Sequence, residues 1–168
     1  MFLKGNTPAA ASVFLALILL ASLGSTAATE VGGGKSVEEA ASRFLKAFEN
    51  LDMPTFISCF TNDATVFFPS PEPAQRFDGK VEIQRHFNQV FAAIRTSSSN
   101  LAPPFHHLAP ENLTVQFIGK DAAIVTFHLR NAERVGRRTL IFKRAGRQWL
   151  IAHLHASNAP VLPQPTVN

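Results

Sequence analysis

Between residues 36 and 60 apolar side chains return every three or four positions, and from residue 113 onward they alternate. Val37, Ala40, Ala41, Phe44, Phe48 and Leu51 follow the first rhythm, which winds into one apolar stripe along a helix of about four turns. Ser36 and Glu39, three apart at its head, have the capping-box pattern that predicts the helix start. Asp52 predicts the cap of a shorter second helix, with Pro54 in its first turn and Phe56, Ile57 and Phe60 facing inward. "ATVFF", Ala64 to Phe68, predicts a strand that ends at the prolines of "PSPEP". After Phe77-Asp78-Gly79, the spacing of Ile83, Phe87, Val90, Phe91 and Ile94 predicts a third helix, and the Ser- and Pro-rich stretch 96–104 predicts a loop.

Four strands then follow, over 113–118, 122–130, 137–144 and 148–157, with turns at Gly119-Lys120-Asp121 and Ala145-Gly146-Arg147. Helices first and antiparallel strands afterwards is an α+β layout. Long strands joined by short turns predict a curved antiparallel sheet, and the three N-terminal helices are available to fill its concave side. The expected product is a cone with an open mouth.

Hydropathy and charge change the picture at the ends of the chain. Lys4, the apolar run Ala9 to Leu23 and Ser25-Thr26-Ala27 have the order of a signal peptide, cleaved near Ala27 or Ala28. The run is shorter than the roughly 20 residues a membrane-spanning helix needs. Residues 1–27 are therefore expected to be an export signal, 28–35 a glycine-rich linker, 36–158 one domain and 159–168 a Pro-rich disordered tail. The expected location is the periplasm or the exterior, with no membrane contact after cleavage. The full chain of 168 residues carries a net charge of +4. Part of its basic content clusters in "RNAERVGRRT", but the aromatics sit at core spacings rather than beside it, which excludes a nucleic-acid surface. Cys59 is the single cysteine, so no internal disulfide is available and stability must come from burial.

Two stretches carry a resemblance. "ATVFFPSPEPAQRFDGKVEI" is similar to the strand, acidic-proline loop and Gly-led helix of SnoaL-like domains. "GKDAAIVTFHLRN" with "GRQWLIAHLHASNAP" resembles the end of the association domain of calcium/calmodulin-dependent protein kinase II. Both belong to the nuclear transport factor 2-like superfamily, whose element order matches nearly the whole mature chain. The resemblance implies a pocket between helices and sheet and an outer sheet face that pairs with a second subunit, giving a homodimer. Positions matching the kinase domain's pocket arginines fall on Leu129, Thr139 and Ala156, which argues against a carboxylate ligand. Two enzymes of the superfamily, ketosteroid isomerase and scytalone dehydratase, use tyrosine hydroxyls, and this chain has no Tyr. The Asp-Arg-Asp set of limonene-epoxide hydrolase has no clear match among Asp52, Asp63, Asp78 and Asp121.

The parity implied by the resemblance turns Leu154 and Ala156 toward the pocket. It leaves Trp149, Ile151, His153 and His155 as an outward row at the dimer interface. The alternatives for the H-x-H pair are a satisfied structural pair and a zinc site completed by His106, His107 or His128; no metal and no cofactor are assigned. The expected ligand-binding residues are Phe68, Arg76, His106, His107, Phe127, Leu129 and Leu154, an apolar lining with a few polar groups at its mouth. Catalysis, if present, points to His107 or Asp78 as a general base on a hydrophobic carbonyl compound; the simpler role for Asp78 is a helix cap. The functional expectation is an exported, dimer-forming module that binds a small apolar or weakly polar molecule. Its alternatives are an isomerase, cyclase or dehydratase with a histidine base, and an oligomerisation module without a ligand.

Overall fold

The computed structural model describes residues 27–69 and 76–161, with side chains from Ser36 onward. The predicted signal peptide, most of the "PSPEP" loop and residues 162–168 of the predicted tail lie outside the described residues. Helix α1 spans Ala27–Glu49, so the helix expected from Ser36 begins earlier and takes in the glycine-rich stretch read as a linker. Asp52 caps α2 (Met53–Ser58) as expected, accepting from the Thr55 N–H at 3.1 Å. That hydrogen bond to the charged form holds the Asp52 carboxyl below its usual range.

Strand β1 spans Phe60–Phe67, so Phe60 opens the strand instead of closing the helix. A short strand that the sequence does not announce, β2 (Arg76–Asp78), pairs with it just before α3 (Gly79–Ser97). Strands β3 (Pro110–Ile118), β4 (Ala122–Arg130), β5 (Arg134–Ala145) and β6 (Gln148–Pro160) match the four expected; β4 has the expected bounds and the other three run one to three residues longer at one or both ends. Gly119 and Gly146 adopt positive φ in the turns, where L side chains are strained.

The six strands form one curved sheet in the order β2-β1-β6-β5-β4-β3. It is mixed rather than wholly antiparallel, because β1 pairs parallel to β6 while every other pairing is antiparallel. That arrangement follows from the intervening chain: α3 and β3 to β5 separate β1 from β6, so no hairpin constrains their direction.

One irregularity in β6 decides which side chains face the helices. Ile141 pairs with His153 and Phe142 with Ile151, leaving Ala152 as an extra residue, a β-bulge. The bulge resets the alternation, so Trp149 and Ile151 point to the same side as Leu154 and Ala156. All four are buried in the core. The outward row of Trp149, Ile151, His153 and His155 is thus split: the first two pack inside, with Trp149 edge-on to Phe117 at 6.0 Å, and the histidines lie on the outer face.

Phenylalanines fill the closed end of the cone. Phe56 sits 4.7 Å from Phe87 and 5.2 to 5.3 Å from Phe44, Phe91 and Phe60, ring centre to ring centre. These tilted and edge-on pairs tie α1, α2, α3 and β1 together through aromatic area. Cys59 is buried beside them, and burial pushes its thiol pKa up. The thiol is thus a small hydrophobe rather than a nucleophile.

Candidate functional site

The phenylalanines do not fill the cone to its mouth. A cavity of about 430 Å³ remains between α1, α3 and the concave face of the sheet. Its floor and walls are Phe48, Phe87, Val90, Phe127, Leu129 and Leu154. Helix α1 brings Phe44, Leu45 and Phe48 to it because those positions lie three and four apart on one stripe. Strand β4 contributes Phe127 and Leu129 by strict alternation.

The rim is polar. Residues 105–108 form a segment over one side, pinned by Glu49 at the end of α1. The Glu49 carbonyl accepts the Phe105 and His106 N–H groups at 2.8 and 3.2 Å, and its Oε1 accepts the Leu108 N–H at 2.7 Å. The same carboxylate stands 3.6 Å from His107 Nδ1, while His106 lies edge-on to Phe48 at 6.2 Å. His107 itself is 84% exposed, so its imidazole stands in water at the rim.

Across the mouth, the turn between β4 and β5 is closed by Asn131, whose Oδ1 accepts the Glu133 and Arg134 N–H groups at 3.0 and 2.7 Å. This brings Arg130 and Arg134 to the rim, with Arg138 and Asn158 lower on the sheet wall. Arg130 pairs with Glu111 at 3.3 Å. Arg138 is partly buried, and burial pulls its guanidinium pKa down.

Of the residues expected to bind a ligand, Phe68, His106, His107, Phe127, Leu129 and Leu154 all line this cavity. Arg76 does not. It pairs with Asp78 at 2.8 Å on the exposed face of β2, outside the cavity. Asp78 occupies the N-cap position of α3, yet its side chain makes no capping hydrogen bond. The adjacent guanidinium claims it, which removes Asp78 both as a cap and as a base facing the cavity. The facing of β5 is also corrected. Thr139 lies on the outer face, paired with His155, and the arginine of the wall is its neighbour Arg138. Counting back by two from Leu140 and Phe142 would have placed it, because both belong to the buried face. Glu49 gave no signal, since what it holds is 56 or more residues away.

On the outer face His153 Nδ1 is 2.7 Å from Thr65 Oγ1, and Phe67 lies 5.9 and 5.8 Å from the rings of His153 and His155. The row His153, Ile141, Ile124 continues across β6, β5 and β4. Burial, then His155, then Arg76 hold the His153 pKa below its ordinary value. Among the described residues no three His, Cys, Asp or Glu side chains converge as metal ligands, and no helix is long and apolar enough to cross a membrane.

No curated protein matches the chain. Solved structures share the fold. A nuclear transport factor 2-like protein of unknown function from Pseudomonas putida KT2440 aligns with a TM-score of 0.62 at 21% identity, over 76% of this chain and 87% of that one. A "putative dehydratase" of the same superfamily from Streptomyces avermitilis gives 0.61 at 20% identity, over 80% and 99%. A ketosteroid isomerase-like protein from Erwinia carotovora atroseptica SCRI1043 gives 0.58 at 18% identity, over 77% and 97%. At these identities the likeness is one of fold. Residues 37–162 match the model of the SnoaL-like domain, a span that runs from within α1 to beyond the end of β6, and the chain belongs to that family.

Proposed function

We propose that the protein is an exported, dimer-forming module that binds a small apolar or weakly polar molecule within its cone. The observation that carries this is the cavity of about 430 Å³, walled by aromatic and aliphatic side chains with a few polar groups at one end. That is the usual size and make-up of a small-molecule site. Export rests on the order of charged, apolar and small residues at the N-terminus. Dimerisation rests on Phe67, Ile124 and Ile141 around the outer-face histidines, an apolar area suited to a partner sheet.

Nile red, a neutral solvatochromic dye, tests the cavity. Its emission should rise and shift to the blue on addition of the mature protein. Leu129→Trp, which fills the cavity from its wall, should abolish that change while leaving the circular dichroism and cooperative melting intact. Dye bound equally by the variant would remove the cavity reading.

A second reading is an isomerase- or dehydratase-type enzyme, and one contact favours it: His107 Nδ1 beside Glu49 Oε1. A carboxylate beside an imidazole is the pairing that orients a general base, and here the two stand just beyond hydrogen-bond reach. Two structural neighbours are named for isomerase and dehydratase chemistry. Turnover of a hydrophobic carbonyl compound lost in both His107→Ala and Glu49→Gln would select the enzyme. An oligomerisation module without a ligand would leave Nile red unbound.

A further inference from the structure

The wall of the cavity has a charge without a counter-charge. Its described lining includes Arg130, Arg134 and Arg138, and contains no Asp or Glu. Arg130 is satisfied by Glu111. Arg138 is different, because its cross-strand neighbours on the concave face are Phe127 on β4 and Ala156 on β6, both buried. Among the described residues no carboxylate lies within ion-pair distance of it.

What holds the guanidinium is neutral. Nη1 donates to the carbonyls of Arg137 and Ser157 at 2.9 and 3.0 Å, and Asn158 Oδ1 stands 3.4 and 3.5 Å from Nη1 and Nη2. Those contacts anchor one end of the planar group. Among the described residues Nε donates to nothing, and Nη2 has only the long contact to Asn158. The edge left open is the Nε–Nη2 side, the fork that takes a carboxylate through two parallel N–H bonds. A guanidinium does not shed its proton when it is partly buried. A cation held there therefore gains from any anion that supplies the missing partner.

The strand is shaped for this seat. Gly136 is two residues before Arg138 and on the same face. A Cβ at Gly136 would stand 2.9 Å from both Nη atoms and 3.1 Å from Cζ. The guanidinium lies back over the glycine, in space that any other residue would occupy.

We propose that the ligand of the cavity is an amphipathic carboxylate, its acid group forked by Arg138 and its apolar body lying toward Phe87, Phe127 and Leu154. This rests on the cavity reading and specifies the polar end of the molecule. The exposed cation Arg134 at the mouth adds attraction for an entering anion.

Calorimetric titration of the mature protein with 4-phenylbutyrate and its neutral isostere 4-phenylbutanamide at pH 7.5, beside Nile red, tests the proposal. The acid should bind at least tenfold tighter than the amide. Arg138→Gln should bring the acid down to the affinity of the amide without weakening the amide. Gly136→Ala, which displaces the guanidinium but keeps its charge, should cut the preference for the acid by severalfold. Equal binding of acid and amide by the parent protein overturns the anion site while Nile red binding leaves the cavity standing. So does an acid preference that survives in Arg138→Gln, or one untouched by Gly136→Ala. Failure of Nile red and both phenyl compounds to bind the parent protein brings down the cavity reading, and this inference with it.

Discussion

His86 shows how a single side chain couples burial to pH. Its ring stacks on Phe77 at 4.0 Å and 20°, with Phe68 and Phe87 edge-on at 5.5 and 5.4 Å. Burial, and then the neighbouring Arg85, hold its pKa below 6.5. The folded state thus resists a proton that the unfolded chain accepts near its ordinary value. A depressed histidine contributes stability that is complete above the unfolded pKa and is lost as pH falls through and below 6.5. The melting temperature should therefore fall between pH 7 and pH 5, and His86→Gln should make that fall shallower. An identical slope in the variant would assign the acid sensitivity elsewhere. The sequence marks His86 only as a polar neighbour of the Phe87 stripe; its stacking partner comes from β2, a three-residue strand too short to leave a pattern. Asp52 is legible by contrast, because cap and capped N–H are three residues apart. Asp78 looks equally legible and is not, since Arg76 competes for the same carboxylate.

At the level of elements, periodicity predicts helices and strands well and fails where one residue changes the count. The four long strands and the apolar faces of the helices follow from spacing alone. The bulge at Ala152 does not, because nothing in "WLIAHLHAS" distinguishes an extra residue from a regular one. Its effect is large: were Ala152 a regular residue of the strand, Trp149 and Ile151 would share a face with His153 and His155. Deleting Ala152 tests this. With the extra residue gone, Ile151 and His153 become neighbours opposite Phe142 and Ile141, and plain alternation keeps Trp149, Ile151, Leu154 and Ala156 on the buried face and both histidines outside. The deletion variant should therefore still unfold cooperatively in urea, with a slope similar to that of the parent. Loss of cooperative unfolding would mean that Ala152 holds a place in the strand and is not its extra residue. The same counting explains why Arg138 escapes attention from a motif match and becomes plain once Leu140 and Phe142 define the inward parity of β5.

For the whole molecule, the order of elements is enough to give a curved sheet over helices, and the parallel pairing of β1 with β6 is what joins β1 and β2 to that sheet. The proposed dimer places the outer face of β4, β5 and β6 against its copy, and this face carries a proton-sensitive group. Around His153 stand Thr65 and Phe67 from β1, Arg76 from β2, Ile141 from β5 and His155 on its own strand. The two charged or titratable neighbours, Arg76 and His155, both oppose a second positive charge, and burial opposes it further. Covering the face with a partner removes more water from His153, so the associated state holds protons less readily than the free one. By linkage, association then weakens as pH falls through the region below 6.5, where the free subunit takes up protons that the dimer refuses. Sedimentation velocity of the protein should show a dimer at pH 7.5 whose dissociation constant rises toward pH 5, and His153→Gln should flatten that dependence. Ile141→Glu, which puts a carboxylate into the middle of the same row, should give monomers at both pH values with the cavity still able to take up Nile red. A protein that sediments as a monomer at every pH would remove the interface, and a dimer indifferent to both substitutions would place it on another face.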